Sequence, residues 1–283
     1  MTTLEPEKRR SRVSAAGWML REWRSARGMS QMGLSQEAGV STRHLSFVET
    51  GRAEPSRELL MRLSAALGMP PRARNALLSA AGYQPIYRDT SWEGPETAEM
   101  RHAVVLILKQ HEPFGAVALN REFDVMLANA GFSRFCAMLI GPERTPSPYS
   151  VTAPPRLNLL ELTFDPNAGV RPHMKNWPTV ARTLLWRARA EAAAMRDRRG
   201  RELIEHLMQY PGVTELLDQP DEAGTGFVLP LELEIAGQHL SLFTTITTLG
   251  TPQDLAACEL RIEAYHPADA ATEALIRTIA GSS

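Results

Sequence analysis

Residues 30–52, SQMGLSQEAGVSTRHLSFVETGR, decide the fold of the N-terminal part of the chain. Ser30 is suited to cap a short helix that directs Leu34 inward. Gly39 then permits the positive φ that a tight corner requires. A second helix is predicted over 42–50. Two helices joined by a turn of about three to four residues form a helix-turn-helix.

The second helix of this stretch has one apolar and one polar face. Leu45 and Val48 fall on the inner face, at helical spacing. The outward positions are Thr42, Arg43, His44, Ser46 and Phe47. A helix with polar and basic residues at its N-terminal end is typical of one that enters a DNA major groove. An αα-hairpin without a ligand is the alternative, but the pattern S-Q-x-x-L-S-x-x-A-G-V-S-x-x-x-L-S-x-x-E-x-G is more specific than a hairpin needs. We therefore predict binding to double-stranded DNA.

Length and composition predict a two-domain protein. The chain has 283 residues, and domains commonly have roughly 100–200. No apolar run approaches the roughly 18–20 residues that cross a bilayer, and residues 1–14 lack the apolar stretch of a signal peptide. We expect a cytoplasmic, nucleoid-associated protein without membrane contact. Cys136 and Cys258 match no metal or redox spacing, so we expect two buried free thiols and no metal site.

Charge is distributed unevenly along the chain. Residues 1–83 contain 13 Lys and Arg against 7 Asp and Glu, whereas the remainder contains 18 against 25. A basic N-terminal segment on an acidic body is expected when one end of a protein binds the phosphate backbone. The basic stretch 1–13 is interpreted either as an arm that reaches along DNA or as a solvated tail.

Residues 1–83 are predicted to form an all-α domain of five helices around the motif. The first helix is expected over 14–27 and the fourth and fifth after Pro55 and Pro70. The predicted inward residues are Ala16, Leu20, Trp23, Leu59, Leu60, Leu63, Leu67, Leu77 and Leu78. Residues 84–99 are rich in Pro, Gly and polar side chains and are predicted to be a linker.

These residues resemble the Cro/C1-type (XRE) helix-turn-helix family over the whole of this domain. The resemblance implies that Gln31 binds a phosphate at the start of the first motif helix, and that Arg52 and Arg57 contact the neighbouring backbone. It implies base contacts from the second motif helix, by Ser41, Thr42, Arg43, His44, Ser46 and Phe47. Arg43 is the leading specific contact, because a guanidinium reaches guanine O6 and N7 together. It also implies an ion pair between Arg24 and Glu49. The alternative for the individual base readers is solvated surface, and for Phe47 packing.

Residues 100–283 are predicted to form an α+β domain. A helix over 96–112 places Ala103, Leu106, Ile107 and Gln110 on one stripe, which packs on the domain or on a second subunit. The remaining predicted elements are strands at 114–119, 123–127, 228–234, 238–248 and 257–265 and helices at 129–139, 158–164, 177–195, 202–209 and 268–279. This order indicates an antiparallel sheet of about five strands with helices on one face.

Three segments of this domain resemble the MmyB-type ligand-binding domain: LNREFDVMLAN, LNLLELTFDPNAGVRPHMKNW and LSLFTTITTLGTPQDLAACELRIEAYHPADAATEAL. The resemblance implies a PAS-like fold with a pocket for a hydrophobic, fatty-acyl-like molecule. The residues predicted to bind it are Arg171, His173, Asn176, Trp177, Arg182, Phe114, Met126 and Phe243. Arg171 is the first choice for a carboxylate anchor. The alternatives are an ordinary closed core and a solvent-exposed Arg171.

No phosphate loop, His-Glu metal spacing or nucleophile elbow is present in the sequence, so we predict no enzyme activity. We expect a bacterial transcription regulator that binds a pseudo-palindromic operator as a homodimer and responds to a hydrophobic effector. No cofactor is expected apart from a bound fatty acid or acyl compound. The alternatives are a DNA-binding regulator with a constitutive dimerisation or protein-docking domain and an enzyme with a DNA-binding head.

Overall fold

The computed structural model describes residues 14–150, 157–167, 169–195, 198–217, 228, 230–250 and 254–281. The predicted arm 1–13 lies outside the described residues. The chain divides into two compact units between Arg88 and Asp89, within the segment 84–99 that was predicted to be a linker. That segment is packed on both sides of the division. Asn75 Oδ1 accepts hydrogen bonds from the backbone of Ile86 and Tyr87, and Trp92 is buried in the second unit.

The first unit contains the five predicted helices. They are α1 (Ala15–Ala26), α2 (Gln31–Glu37), α3 (Thr42–Glu49), α4 (Arg57–Ala66) and α5 (Pro71–Ala80). A serine caps each of the first four, since the hydroxyls of Ser14, Ser30, Ser41 and Ser56 accept a backbone N–H three residues on, at 2.9–3.2 Å. The predicted inward residues of these helices are buried in one core.

The second unit is built on a five-stranded antiparallel sheet in the order β2-β1-β5-β4-β3. The strands are β1 (Ala116–Leu119), β2 (Val125–Ala128), β3 (Leu231–Ile235), β4 (Gln238–Thr248) and β5 (Arg261–Pro267). In the hairpin between β3 and β4, Ile235 pairs with Gln238 at the end of the strands. The two residues between them, Ala236 and Gly237, both have positive φ and form the turn. The predicted α+β class with a five-stranded sheet is confirmed.

Helices lie on both faces of this sheet. They are α6 (Ala98–Gln110), α7 (Ala130–Ile140), α8 (Leu159–Phe164), α9 (Trp177–Met195), α10 (Arg198–Leu207), α11 (Leu255–Glu259) and α12 (Ala270–Gly281). Because successive strand residues point to opposite faces, Val117 of β1 joins the core under α7, α8, α9 and α10. Its neighbour Ala118 meets Val104 and Leu108 of α6 on the other face. The helices are therefore not confined to one face.

Two details of the second unit differ from the predictions. The buried residues of α6 are Val104 and Leu108, whereas Ala103, Leu106 and Gln110 of the predicted stripe are exposed and Ile107 is half-buried. Val104 and Leu108 pack in the same core cluster as Ala116 and Ala118 of β1. The first residues of the predicted strand 257–265 belong to helix α11, and β5 starts only at Arg261. The Asp254 carboxylate caps this helix because it accepts a hydrogen bond from the N–H of Ala256.

Candidate functional site

The exposed surface of α3 is the candidate nucleic-acid interface. Leu45 and Val48 anchor the helix in the core, as predicted, which turns Thr42, Arg43 and His44 to the exterior. The guanidinium of Arg43 lies 5.4 Å from the ring centre of Phe47, a half-buried residue on the next turn of the helix. Ser41, Arg52 and Arg57 are also exposed, and Ser46 is half-buried. The predicted contacts of α3 and of the segment after it are therefore at exposed or half-buried positions.

Two contacts that sequence reasoning missed hold α3 in place. The hydroxyls of Ser35 and Thr42 lie 2.8 Å apart and join α2 to α3 across the turn. In α1, a Cβ built on Gly17 would lie 2.3 Å from the carbonyl oxygen of Val48. Only glycine allows α1 and α3 to approach so closely. A glycine on the inner face of an otherwise regular helix is the sequence signal for such a contact.

A polar network under the interface connects three helices. The Nε and Nη2 atoms of Arg24 donate to Glu49 Oε1 at 2.7 Å and Oε2 at 3.0 Å. Gln31 Nε2 donates to the same carboxylate at 2.8 Å, and Arg24 Nη1 donates to Met29 O at 2.8 Å. The predicted ion pair is therefore present. Gln31 uses one amide hydrogen for Glu49, and its amide carries a second.

The second candidate site is a cavity of about 400 Å³ in the C-terminal unit. It lies between the sheet and the helices α7, α8 and α9. Most of its wall is aliphatic or aromatic, including Phe123, Phe132, Phe135, Leu159, Leu160, Leu162, Val180, Leu184 and Ile246. Its size and lining are those of a site for an apolar small molecule.

Part of the cavity wall is polar, and sequence reasoning missed it. Arg187 of α9, Thr244 of β4 and Glu263 and Tyr265 of β5 line this part, with Cys136 of α7 beside them. Arg187 Nε and Nη2 and Glu263 Oε2 are buried and make no hydrogen bond within the described part of the chain. The sequence signal is a charge at helical spacing on an apolar stripe, since Arg187 follows Val180 and Leu184.

The titratable groups of this wall have shifted pKa values. Burial raises the pKa of Glu263 above its ordinary value near 4.5, although Arg187 and Arg261 oppose the shift. Burial also raises the pKa of Tyr265, and the nearby Glu263 carboxyl raises it further. Burial raises the pKa of the Cys136 thiol to about 12. The wall therefore favours uncharged forms of its acids and keeps Cys136 as a thiol.

The predicted anchor Arg171 lies outside the described lining of this cavity. Its guanidinium donates to Phe164 O at 3.0 Å and to Pro211 O at 2.7 Å, and lies 3.5 Å from the ring centre of Trp177. Trp177 is itself buried, and its Nε1 donates to Thr163 O at 2.8 Å. Both side chains therefore join backbone segments of this unit.

The other residues predicted to bind the ligand also lie outside the described lining. Asn176 bridges to β3 by accepting from Glu232 N and donating to Pro230 O. Phe243 stacks on His266 with ring centres 5.0 Å apart. The remaining ones are His173, Arg182, Phe114 and Met126, which are all half-buried.

In the described part of the chain, no helix is long and apolar enough to cross a membrane. No group of three His, Cys, Asp or Glu residues suited to a metal ion occurs there.

The fold and the two sites define a helix-turn-helix DNA-binding transcription regulator with a ligand-binding domain. Residues 15–77 match the family model of a helix-turn-helix domain. Residues 100–279 match that of the MmyB-like transcription regulator ligand binding domain, which covers more than half of the chain. The chain therefore belongs to the MmyB-like transcription regulators. No curated protein matches it significantly.

Two solved structures are similar to parts of the chain. One is the restriction-modification controller protein C.AhdI from Aeromonas hydrophila, at 32% identity over 22% of this chain and 94% of that one, with a TM-score of 0.21. The other is an RNA-binding light-oxygen-voltage receptor, at 12% identity over 97% of this chain and 63% of that one, with a TM-score of 0.27. Both TM-scores are below 0.5, so the assignment rests on the family models.

Proposed function

We propose that this regulator binds a pseudo-palindromic operator as a homodimer and that a hydrophobic, fatty-acyl-like effector in the C-terminal cavity controls its affinity for DNA. The observation that carries the proposal is the cavity of about 400 Å³ with its apolar wall, in the same chain as an exposed recognition helix. Paired half-sites are expected about one helical turn apart.

DNA recognition is proposed to start from Arg43. Its guanidinium is exposed and is the cation nearest the N-terminus of α3, where base edges are read. Thr42 and His44 flank it, while Arg52 and Arg57 supply phosphate contacts. The contact between Arg43 and the Phe47 ring restricts the guanidinium without using its donors.

The effector is proposed to be a largely aliphatic molecule. A tail without polar groups can fill the apolar part of the cavity, whereas a strongly polar molecule would lose hydration without compensation. A constitutive docking domain would need a closed core at this place. The cavity supports the ligand-binding alternative instead.

Binding rather than catalysis is the proposed activity of the C-terminal domain. The described lining contains no histidine, and the thiol of Cys136 has a pKa raised to about 12, so it is not a thiolate at neutral pH. An effector that binds one of two dimer arrangements more tightly increases the population of that arrangement. It thereby changes the affinity of the protein for DNA without being consumed.

Mass spectrometry of an organic extract from the purified, denatured protein tests the effector class. We expect a stoichiometric aliphatic compound. An empty extract, followed by no binding of octanoic, dodecanoic or hexadecanoic acid in calorimetry, would contradict the proposal and favour the constitutive docking domain.

A further inference from the structure

Phe47 is a large apolar residue on the outward side of the recognition helix α3. The inner side of this helix is formed by Leu45 and Val48, which are 1% and 0% exposed. Phe47 is half-buried. Among the residues that the structure describes, it belongs neither to the buried core of this unit nor to the partly buried apolar residues packed against that core. Core packing therefore does not explain an aromatic ring at this position.

The backbone of Phe47 is held at the end of α3. Its carbonyl oxygen accepts the N–H groups of Arg52 at 2.8 Å and Ala53 at 3.2 Å. Phe47 follows Arg43 by four residues, so the two side chains leave the helix on the same side. The place of the ring on the surface of the helix is therefore fixed beside Arg43.

Arg43 and Phe47 form a contact pair. The guanidinium carbon of Arg43 lies 5.4 Å from the ring centre of Phe47. A guanidinium that stacks on a ring uses its face, and the N–H groups at its edge stay available for acceptors such as guanine O6 and N7. The pair therefore presents a polar edge and an apolar ring side by side.

The major groove offers an apolar ring one specific partner. Thymine alone presents a methyl group there, at C5, whereas the other distinguishing groups of the four bases are hydrogen-bond donors and acceptors. A ring placed on those polar groups would remove their hydration without replacing it, but a ring placed on a methyl group buries apolar surface. Neighbouring base pairs are about 3.4 Å apart, so the short distance between the guanidinium and the ring suits adjacent pairs.

From this geometry we infer that Phe47 contacts the C5 methyl group of a thymine in the base pair next to the guanine that Arg43 binds. The inference rests on the proposed recognition of DNA by α3 and adds to it a second specificity-determining residue. Each half-site of the operator is therefore expected to contain a G·C pair and a T·A pair side by side.

The test is a substitution scan of an operator that the full-length wild-type protein selects from a random duplex library. Affinities are measured by fluorescence anisotropy. Replacing each guanine by 7-deazaguanine removes N7 and locates the guanine whose substitution weakens the wild type but not Arg43→Ala. Replacing each thymine by uracil then removes only the methyl group. Uracil in the pair next to that guanine is expected to weaken wild-type binding about fourfold per half-site, the value of one buried methyl group.

Phe47→Ala is expected to bind the thymine and uracil operators equally, and its binding to the uracil operator shows that the variant is folded. Trp18→Ala is the matched control, because it removes another exposed aromatic side chain from the same unit, on α1. This control is expected to keep the fourfold difference between thymine and uracil.

Three results would overturn the role of Phe47 alone. They are an operator without a thymine beside a guanine that depends on Arg43, wild-type binding that is indifferent to uracil at this thymine, and a uracil effect that survives in Phe47→Ala. The first two need no Phe47 variant and so decide the question even if Phe47→Ala does not fold. Selection of no preferred sequence by the wild type would overturn the sequence-specific DNA binding on which the inference rests.

Discussion

Arg24 and Glu49 form a two-point ion pair that joins α1 to the C-terminal end of α3, with Nε–Oε1 at 2.7 Å and Nη2–Oε2 at 3.0 Å. The Glu49 side chain is 1% exposed and that of Arg24 13%. The hydrogen bonds that Arg24 donates to the Glu49 carboxylate raise the pKa of Arg24 above its ordinary value. The pair therefore sets the orientation of the recognition helix from below its DNA-facing surface.

Removing one partner of this pair should destabilise the N-terminal domain. Arg24→Met leaves Glu49 buried with only Gln31 as a side-chain donor, and loss of a buried partner costs about 3–5 kcal/mol. Urea unfolding followed by circular dichroism measures the change. Arg21→Met, at an exposed position of α1, is the control and should change the free energy of unfolding by less than about 0.5 kcal/mol. Equal effects of the two variants would show that the pair is not structural.

Two glycines of the helix-turn-helix domain should respond to alanine with opposite sign. In Gly17→Ala the new Cβ meets the carbonyl oxygen of Val48 at 2.3 Å, so α1 and α3 must separate and stability must fall. In Gly33→Ala the nearest atom is Ser30 Oγ at 3.4 Å, and the better helix propensity of alanine should add up to about 1 kcal/mol. Thermal unfolding of both variants is the measurement, and a stabilised Gly17→Ala would contradict the close contact.

Arg43→Ala should remove sequence preference and keep most nonspecific binding. An operator is first selected with the wild-type protein from a random duplex library. Loss of a two-point contact to guanine should then cost about 1–3 kcal/mol on that operator. Arg52→Ala is the matched control and should weaken binding to all sequences and lower the salt slope by about one. If Arg43→Ala retains the wild-type preference, Arg43 is not the specific contact.

Glu263 should make the stability of the C-terminal domain depend on pH. Its pKa is raised in the folded state by burial, against the charges of Arg187 on α9 and Arg261 on β5, with Tyr265 and Cys136 as the other titratable groups in the wall. Between its ordinary pKa near 4.5 and the raised value, the native state binds more protons than the unfolded state.

The free energy of unfolding should therefore fall as pH rises through this window and level off above the raised pKa. Glu263→Gln cannot ionise and should lack this contribution, whereas Glu205→Gln, at an exposed position of α10, should keep it. Denaturant unfolding at a series of pH values gives both slopes. Equal slopes in the wild type and Glu263→Gln would show that this carboxyl is not protonated preferentially in the folded state.

The N-terminal domain could be predicted almost entirely from its sequence because its determinants are local. Caps such as Ser30 and Ser41 and apolar spacings such as Leu45 to Val48 decide each helix within a few residues. Gly17 escaped prediction because its role depends on the position of Val48, some thirty residues away, which helix periodicity does not encode.

The ligand cavity could be predicted as a feature of the fold but not located. A local cluster of polar residues predicts Arg171 as the anchor, yet two of its N–H groups donate to the carbonyls of Phe164 and Pro211. Arg187 and Glu263 come together only when α9 packs over β5. Such pairs arise from tertiary packing of distant segments, and a single sequence does not reveal them.

The most direct test of effector control is the operator affinity of the full-length protein with and without a cavity ligand. Fluorescence anisotropy with the selected operator would be recorded with dodecanoic acid present or absent. The wild type would be compared with Leu184→Trp, which adds bulk at a half-buried residue of the cavity wall. We predict that the acid changes the affinity of the wild type at least about tenfold and leaves that of Leu184→Trp unchanged. An affinity that stays the same while calorimetry shows the acid bound to the wild type would contradict effector control, because a ligand that binds both states equally shifts neither.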